Sequence, residues 1–345
     1  MLAQKTIGID LGTTNTVIYI EGKGVLLREQ SVVAFNSLTE TIEAVGDSAK
    51  EMIGRAPQDI KVIRPLERGV VTDFHAAAIM IRQFLKQVIH SKSPFITKPQ
   101  VTLAVPTGAT AVEKQAAHDV AIEAGAKQVH TIEKSLAAAI GAGLSVSEPK
   151  GNMVVHIGAG TTEAATISLG GIVTSTSVRV GGDDMDRAIT QFVADAYNLL
   201  IGDRTAEAIK MAIATCQTAN ESETIQIRGR DVVDGLPKSI SVKKDEMIAP
   251  LSKVVESIAA CVVQTLEKTP PELAADIFSK GIVLTGGGSL LLQVKDAISA
   301  VTGLAITRTD DPFDCVAIGT GRYMARSSQV SHDSKLNWRL LGARA

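Results

Sequence analysis

Two short polar loops, each set between strands of apolar and β-branched residues, constrain this chain more than any other feature. The first lies in the stretch IGIDLGTTNTVIYI from Ile7 to Ile20, where Gly12, Thr13, Thr14 and Asn15 form the loop and Asp10 ends the strand before it. The second lies in MVVHIGAGTTEAATISL from Met153 to Leu169, where Gly158, Ala159, Gly160 and Thr161 stand between two apolar strands. Glycine lets the backbone turn tightly and bring its amides close to an anion, and a carboxylate beside such a loop suits a metal ion accompanying a phosphate. Two such loops predict a duplicated α/β fold in which one phosphate chain is clamped between two domains.

The length of 345 residues fits about two domains, and a hydrophobic content of 45% supplies each with a core. A net charge of −2 and a pI near 6.3 provide no basic footprint for nucleic acid, which is not expected as a partner. Cys216, Cys261 and Cys315 are widely spaced among apolar or small residues, so neither a zinc site nor a disulfide framework is expected, and core thiols in a reducing cytosol are. The N-terminus enters the first strand with no secretory apolar region, and no later run reaches the roughly 18 apolar residues of a spanning helix. A cytoplasmic protein, at most peripheral to a membrane, is the expectation.

Along the chain, Val25 to Phe35 and Thr41 to Val45 read as strands and Ala49 to Arg55 as a short helix in a small insert. Asp73 opens a helix whose Phe74, Ala77, Ala78, Ile81, Phe84, Leu85, Val88 and Ile89 follow the 3.6-residue period. A strand at Val101 to Val105 precedes a helix opened by Thr110 and Glu113, which have capping-box spacing, and stopped by Gly125. Lys127 to Ile132 predicts a strand and Ser135 to Ala142 an alanine-rich helix. In the second half, Asp184 opens one helix and Thr205 another, while Glu221 to Val242, with turn residues Gly229, Gly235 and Pro237, reads as a second small insert. Val254 to Leu266 is a long helix. Ile282 to Leu284 is a buried strand leading to Gly286, Gly287 and Gly288, with a helix from Leu290 to Val301 ended by Gly303. Strands mixed with helices twice over, each half opening on a loop hairpin, predict two domains with mixed sheets flanked by helices.

At IGIDLGTTNT, VGDSAKEMIGRAP, IRPLERGVVTDF, AAAIGAGLSVSE, VRVGGDDMD, TAEAIK, PPELAADI and VLTGGGSLL the chain resembles the actin, hexokinase and heat-shock chaperone superfamily, and within it the bacterial actin homologues of the MreB family. The resemblance implies an actin-like ATPase fold around a nucleotide cleft. Domain I would take 1–145 with its subdomain IB insert near 33–65, domain II 146–316 with its IIB insert near 184–249, and 317–345 would return to domain I and end in a tail. It implies ATP or ADP as ligand, with Gly12, Thr13, Thr14 and Asn15 and then Gly158, Ala159, Gly160 and Thr161 wrapping the phosphates, and Asp10 holding Mg2+ through water. Glu207 and Lys210, three apart on one helix face, would serve the ribose and base; Gly286, Gly287 and Gly288 would admit adenine and ribose close to the backbone, and Gly182 and Ser289 complete the set.

The chain departs from its family at two chemical positions. Where the second loop of the family begins with aspartate this chain has His156, and where the family carries the glutamate that orients the attacking water it has Lys134, with Glu133 beside it. Protonated lysine has three donors and no acceptor, so it cannot take a hydrogen bond from water, and a neighbouring Glu133 side chain points about 100° away on a helix or to the opposite face of a strand. Thr161, which in the family helps place that water, is kept. Nucleotide binding with weak or absent hydrolysis is therefore expected.

Pro94, Phe95 and Ile96, flanked by Lys92 and Lys98, suit insertion into an anionic lipid interface, and Leu336, Trp338, Leu340 and Leu341 mixed with basic residues suit a short amphipathic anchor. The resemblance implies a filament of copies of this chain at the inner face of the cell membrane, working with other cell-shape or cytoskeletal proteins. A small-molecule kinase of the same fold is the alternative, although no acceptor-site motif supports it; a third reading, a chaperone, is not expected, because no substrate-binding domain is present before Ala345.

Overall fold

The computed structural model describes residues 6–89, 98–214 and 223–324. They fall into two compact units, the first running to Val146 and taken up again from Asp314, the second spanning Ser147–Phe313.

In the first unit an opening meander, β1 (Thr6–Leu11), β2 (Asn15–Ile20) and β3 (Gly24–Gln30), pairs antiparallel throughout. β4 (Val33–Asn36), β5 (Ile42–Val45), the short α1 (Asp47–Glu51) and β6 (Ile60–Ile63) follow as a small three-stranded sheet and helix, and β7 (Leu66–Glu67) with β8 (Val70–Val71) makes a tight hairpin. α2 (Phe74–Val88) is capped by Asp73, whose carboxylate accepts the Ala76 N–H at 2.9 Å. β9 (Gln100–Val105) and β10 (Gln128–Glu133) join β1 in parallel, giving the order β10-β9-β1-β2-β3. Between them runs α3 (Ala111–Glu123), where Thr110 and Glu113 form the reciprocal capping box. α4 (Lys134–Gly141) starts directly at the end of β10. Ile7, Ile9 and Ile18 of the sheet pack on Met80, Ile81 and Phe84 of α2, so its apolar stripe is the floor of this core.

The second unit repeats the plan. β11 (Asn152–Ile157), β12 (Thr162–Ser168) and β13 (Gly171–Val178) form the meander; α5 (Gly182–Tyr197), β14 (Leu199–Leu200), α6 (Asp203–Ile213), β15 (Thr224–Asp231) and β16 (Pro237–Lys243) follow, then α7 (Ser252–Glu267) and α8 (Pro271–Lys280). β17 (Ile282–Thr285), α9 (Leu292–Thr302) and β18 (Ile306–Arg308) complete the order β13-β12-β11-β17-β18, with β17 parallel to β11 and β18 parallel to β17. Each sheet is thus mixed in the same way, a meander at one side and parallel strands at the other. β14, β15 and β16 form a separate small sheet.

Several sequence expectations change: the short helix expected at Ala49 to Arg55 is Asp47–Glu51, α5 begins at Gly182 ahead of Asp184, and α6 begins at Asp203 ahead of Thr205. Val25 to Phe35 is two strands in different sheets, because Ser31 leaves the ladder: its N–H donates to Thr14 O at 2.8 Å and its hydroxyl to Gly12 O at 2.7 Å. Gly229 and Pro237 lie in strands and pair with Lys238 and Arg230; a side chain at Gly229 would collide with the backbone of Leu200, which accounts for the glycine without a turn. The helix expected from Leu290 begins at Leu292, after a 3-10 turn at Gly287–Leu290. Gly303, in left-handed conformation, ends it as expected.

Candidate functional site

In the first unit the loop is set by backbone chemistry. Leu11 pairs with Thr16, so the four residues Gly12 to Asn15 close the hairpin, and the Gly12 N–H donates to Asn15 O at 3.1 Å. A Cβ at Gly12 would stand 2.5 Å from that same carbonyl, so no other residue fits without moving the loop. Side chains hold the outside: Thr13 Oγ1 accepts the Gly69 N–H at 2.8 Å, and Asn15 Oδ1 accepts from Gln30 Nε2 at 2.6 Å. Gly69, in the β7–β8 hairpin with φ of +80°, was not an expected contributor; its glycine is the only local signal in the sequence.

Asp10 lies one residue before that loop pair and is buried. Lys134 reaches it, Nζ standing 3.1 Å from Oδ1, with the two side chains 5% and 10% exposed. Glu133 goes elsewhere, its carboxylate 3.5 Å from Lys114 Nζ on α3. The divergence is the one expected of neighbouring residues at the end of a strand, and it leaves the lysine, not the glutamate, beside Asp10. Thr107 and Ser135 fix this corner, with hydroxyls 2.6 Å apart and the Ser135 N–H donating to Thr107 Oγ1 at 3.1 Å. The expected Mg2+ at Asp10 does not fit these residues. Its carboxylate is already matched by an ammonium, and no group of three His, Cys, Asp or Glu side chains among the described residues is placed to hold a metal ion.

The second loop has the same frame, Ile157 pairing with Thr162 and the Gly158 N–H donating to Thr161 O at 2.8 Å. Here helix α5 buttresses it: the Gly182 and Asp183 N–H groups donate to Gly158 O at 3.0 Å and Ala159 O at 2.8 Å. Gly181 must be glycine, since a Cβ would lie 2.5 Å from Ala159 O. His156, buried at the position matching Asp10, has its Nδ1 3.1 Å from Thr285 Oγ1 on the adjacent β17. The Thr161 hydroxyl donates to the fully buried Glu163 at 3.4 Å.

Other expected site residues gather within this unit. Lys210 Nζ donates to Asp186 Oδ2 at 2.7 Å and to Gly182 O at 3.1 Å, so the lysine expected at the base or ribose ties α6 to the start of α5. Burial pushes the Asp186 carboxyl above its ordinary value, against the pull of Lys210 and with Glu207 adding to the rise. Of the triple glycine, Gly286 has φ of +82°, and side chains at Gly286 and Gly288 would collide with Ile157 while one at Gly287 would meet Phe313 at 2.7 Å. Close packing on β11 therefore explains Gly286 and Gly288, and the Phe313 ring explains Gly287. Ser289 turns its hydroxyl back on Gly286 O at 2.6 Å. Phe95, Ile96 and Trp338 lie outside the described residues.

Comparison with known proteins matches this architecture throughout. The MreB/Mbl protein family model covers residues 4–332. The cell shape-determining protein MreB of Escherichia coli is 45% identical over 320 residues, 92% of each chain, and the cell shape-determining protein Mbl of Bacillus subtilis is 44% identical over 317 residues, 92% of this chain and 95% of that one. The crystal structure of Spiroplasma citri MreB5 bound to AMPPNP superposes with a TM-score of 0.89 at 35% identity, covering 97% of this chain and 100% of that one. With its duplicated loop-bearing sheets and this identity along almost its whole length, the chain belongs to the MreB/Mbl family of actin-like, cell shape-determining cytoskeletal proteins.

Proposed function

We propose that this chain binds ATP and ADP through Gly12 to Asn15 and Gly158 to Thr161, turns ATP over slowly, and polymerises with copies of itself in the bacterial cytoplasm. The observation that carries the slow turnover is the direction of two side chains, Lys134 to Asp10 and Glu133 to Lys114. Water attack on a γ-phosphate needs an acceptor for the water's proton, and an ammonium is none. Loss of such a group typically costs about 10² to 10⁴ in rate, so nucleotide-bound polymers of this chain are long-lived. Nucleotide binding is supported by the AMPPNP carried by the S. citri relative and by the two glycine-framed loops. In this reading the small sheets β5-β4-β6 and β14-β15-β16 are the subdomain inserts IB and IIB.

The test is phosphate release under polymerising conditions, for the unmodified chain and for Lys134→Glu alone and with His156→Asp, each checked for folding by circular dichroism. Restored turnover in the double variant supports the reading. Equal rates in the unmodified chain and the double variant overturn it. Pelleting and negative-stain microscopy with ATP, ADP and no nucleotide test polymerisation, and a chain that stays monomeric in all three refutes that part. No helix among the described residues is long and apolar enough to cross a membrane, and peripheral association rests on Phe95, Ile96 and Trp338. Liposome co-sedimentation that survives Phe95→Ser with Ile96→Ser removes the Phe95–Ile96 contribution.

A further inference from the structure

The charge that Lys134 adds sits at one defined place. β10, β9 and β1 run parallel with Ile132, Ala104 and Asp10 in register, so α4, starting two residues beyond Ile132, projects its first side chain across β9 to the end of β1. Only Leu11 separates Asp10 from the Gly12 loop, and the ammonium stands at the base of that loop. The contact is Coulombic: at 3.1 Å the charges pair, yet Asp10 Oδ1 receives no hydrogen bond of good geometry. The lysine is therefore not locked to this oxygen by direction, as a bidentate arginine would be.

We propose that Lys134 does the charge-neutralising work of a divalent cation, so that this chain binds the phosphates of a nucleoside triphosphate without requiring a divalent metal. The inference rests on reading Gly12 to Asn15 as a phosphate loop. In a family chain with glutamate in place of Lys134, two carboxylates at this corner carry −2, which one dication cancels. Here Asp10 and Lys134 cancel without any metal. A dication added at Asp10 would leave the corner at +2 and lie against a buried ammonium, where low dielectric makes like-charge repulsion far stronger than in water. The ammonium itself is a compact point charge with three donors, which suits phosphate oxygens.

Isothermal titration of ATP into the full chain, in excess EDTA and in excess Mg2+, reads the proposal directly. The expected affinities agree within about twofold in the two buffers, whereas Lys134→Glu makes binding depend on Mg2+ by about tenfold or more, a change of one decade being well resolved in such a titration. Lys134→Arg, which keeps the charge, retains binding in EDTA; if Lys134→Glu fails to fold, this variant and the unmodified chain still decide. A loss of more than about tenfold in the unmodified chain on adding EDTA overturns the proposal. Absence of ATP binding in both buffers refutes the phosphate-loop reading on which it rests, and the proposal with it.

Discussion

The two loop hairpins share a frame and differ in what stands beneath it. Both close four residues between strands, with a glycine N–H donating to the carbonyl three residues on, Gly12 to Asn15 and Gly158 to Thr161. Beneath the first, a buried carboxylate is matched by an ammonium. Beneath the second, the equivalent residue is His156 against a threonine hydroxyl, and the nearby carboxylate Glu163 accepts from Thr161. The hairpin backbone is fixed by strand pairing and glycine, so the charge below it is free to differ between the two halves. What distinguishes the two halves therefore lies under the loops rather than in them.

The sharpest way to break the contrast is to remove the ammonium. Lys134→Met keeps the length and apolar stem but leaves Asp10 as a buried carboxylate without its counter-charge. Removing one partner of a buried pair typically costs about 3–5 kcal/mol, which should show as a large drop in the urea midpoint. The double variant Lys134→Met with Asp10→Asn should recover most of that loss. If Lys134→Met alone is as stable as the unmodified chain, the pair is not a buried ion pair in solution.

Under the second loop the expected effect is smaller and appears only in alkali. Burial pushes the Cys261 thiol up to about 11, with Glu163 contributing, and its Sγ lies 3.4 Å from Thr176 O. The folded chain then holds the thiol proton more tightly than the unfolded chain, so this contribution is complete below pH 9 and is lost as pH rises from 9 to about 11. About 2 to 3 kcal/mol is at stake across that window. Comparing the pH slope of unfolding free energy for the unmodified chain and Cys261→Ala isolates it, because lysines and tyrosines titrate in both. Identical slopes would show that the thiol is not held protonated by the fold.

Glycine substitutions sharpen the comparison of the frames themselves. A Cβ at Gly12 meets Asn15 O at 2.5 Å, and one at Gly158 meets Thr161 O at 3.3 Å. The first needs backbone movement and should cost about 1–3 kcal/mol as Gly12→Ala; the second needs only a few tenths of an ångström and should cost less than about 1 kcal/mol. Thermal unfolding of the two single variants orders them, and a reversed order would mean that the second loop is the stiffer.

Much of this was legible in the residues. The loop hairpins, the helix from Asp73 and the Thr110–Glu113 box rest on local chemistry, which a sequence states directly: glycine and polar residues between apolar strands, apolar periodicity, and a hydroxyl three residues before a glutamate. The identity of Lys134 was also visible, and with it the loss of an acceptor. Its pairing with Asp10 was not, because it depends on three strands coming into register from distant parts of the chain. The break at Ser31 was hidden for the same reason: its hydroxyl and N–H are claimed by Gly12 and Thr14, and nothing in its neighbours announces that. That Lys210 lies in a helix was legible, but its partners Asp186 and Gly182 belong to another helix.

The smallest predicted effect concerns how His156 is held. Thr285 Oγ1 stands 3.5 Å from Val155 O, to which it donates, and 3.1 Å from His156 Nδ1. With the hydroxyl proton directed to the carbonyl, the threonine oxygen is able to accept from an Nδ1–H of the imidazole. The matching position beside Asp10 is Ala104 on β9, which offers no such partner, so the second unit orients a ring where the first pairs charges. Thr285→Val keeps the β-branched shape in the strand and removes only the hydroxyl, which should cost about 1 kcal/mol in chemical denaturation. Nitrogen chemical shifts of His156 should move at the same time, since Nδ1 loses its Thr285 hydroxyl neighbour. An unchanged imidazole spectrum in Thr285→Val would show that another neighbour sets the ring, and that the two units differ at this position by one side chain fewer than the geometry indicates.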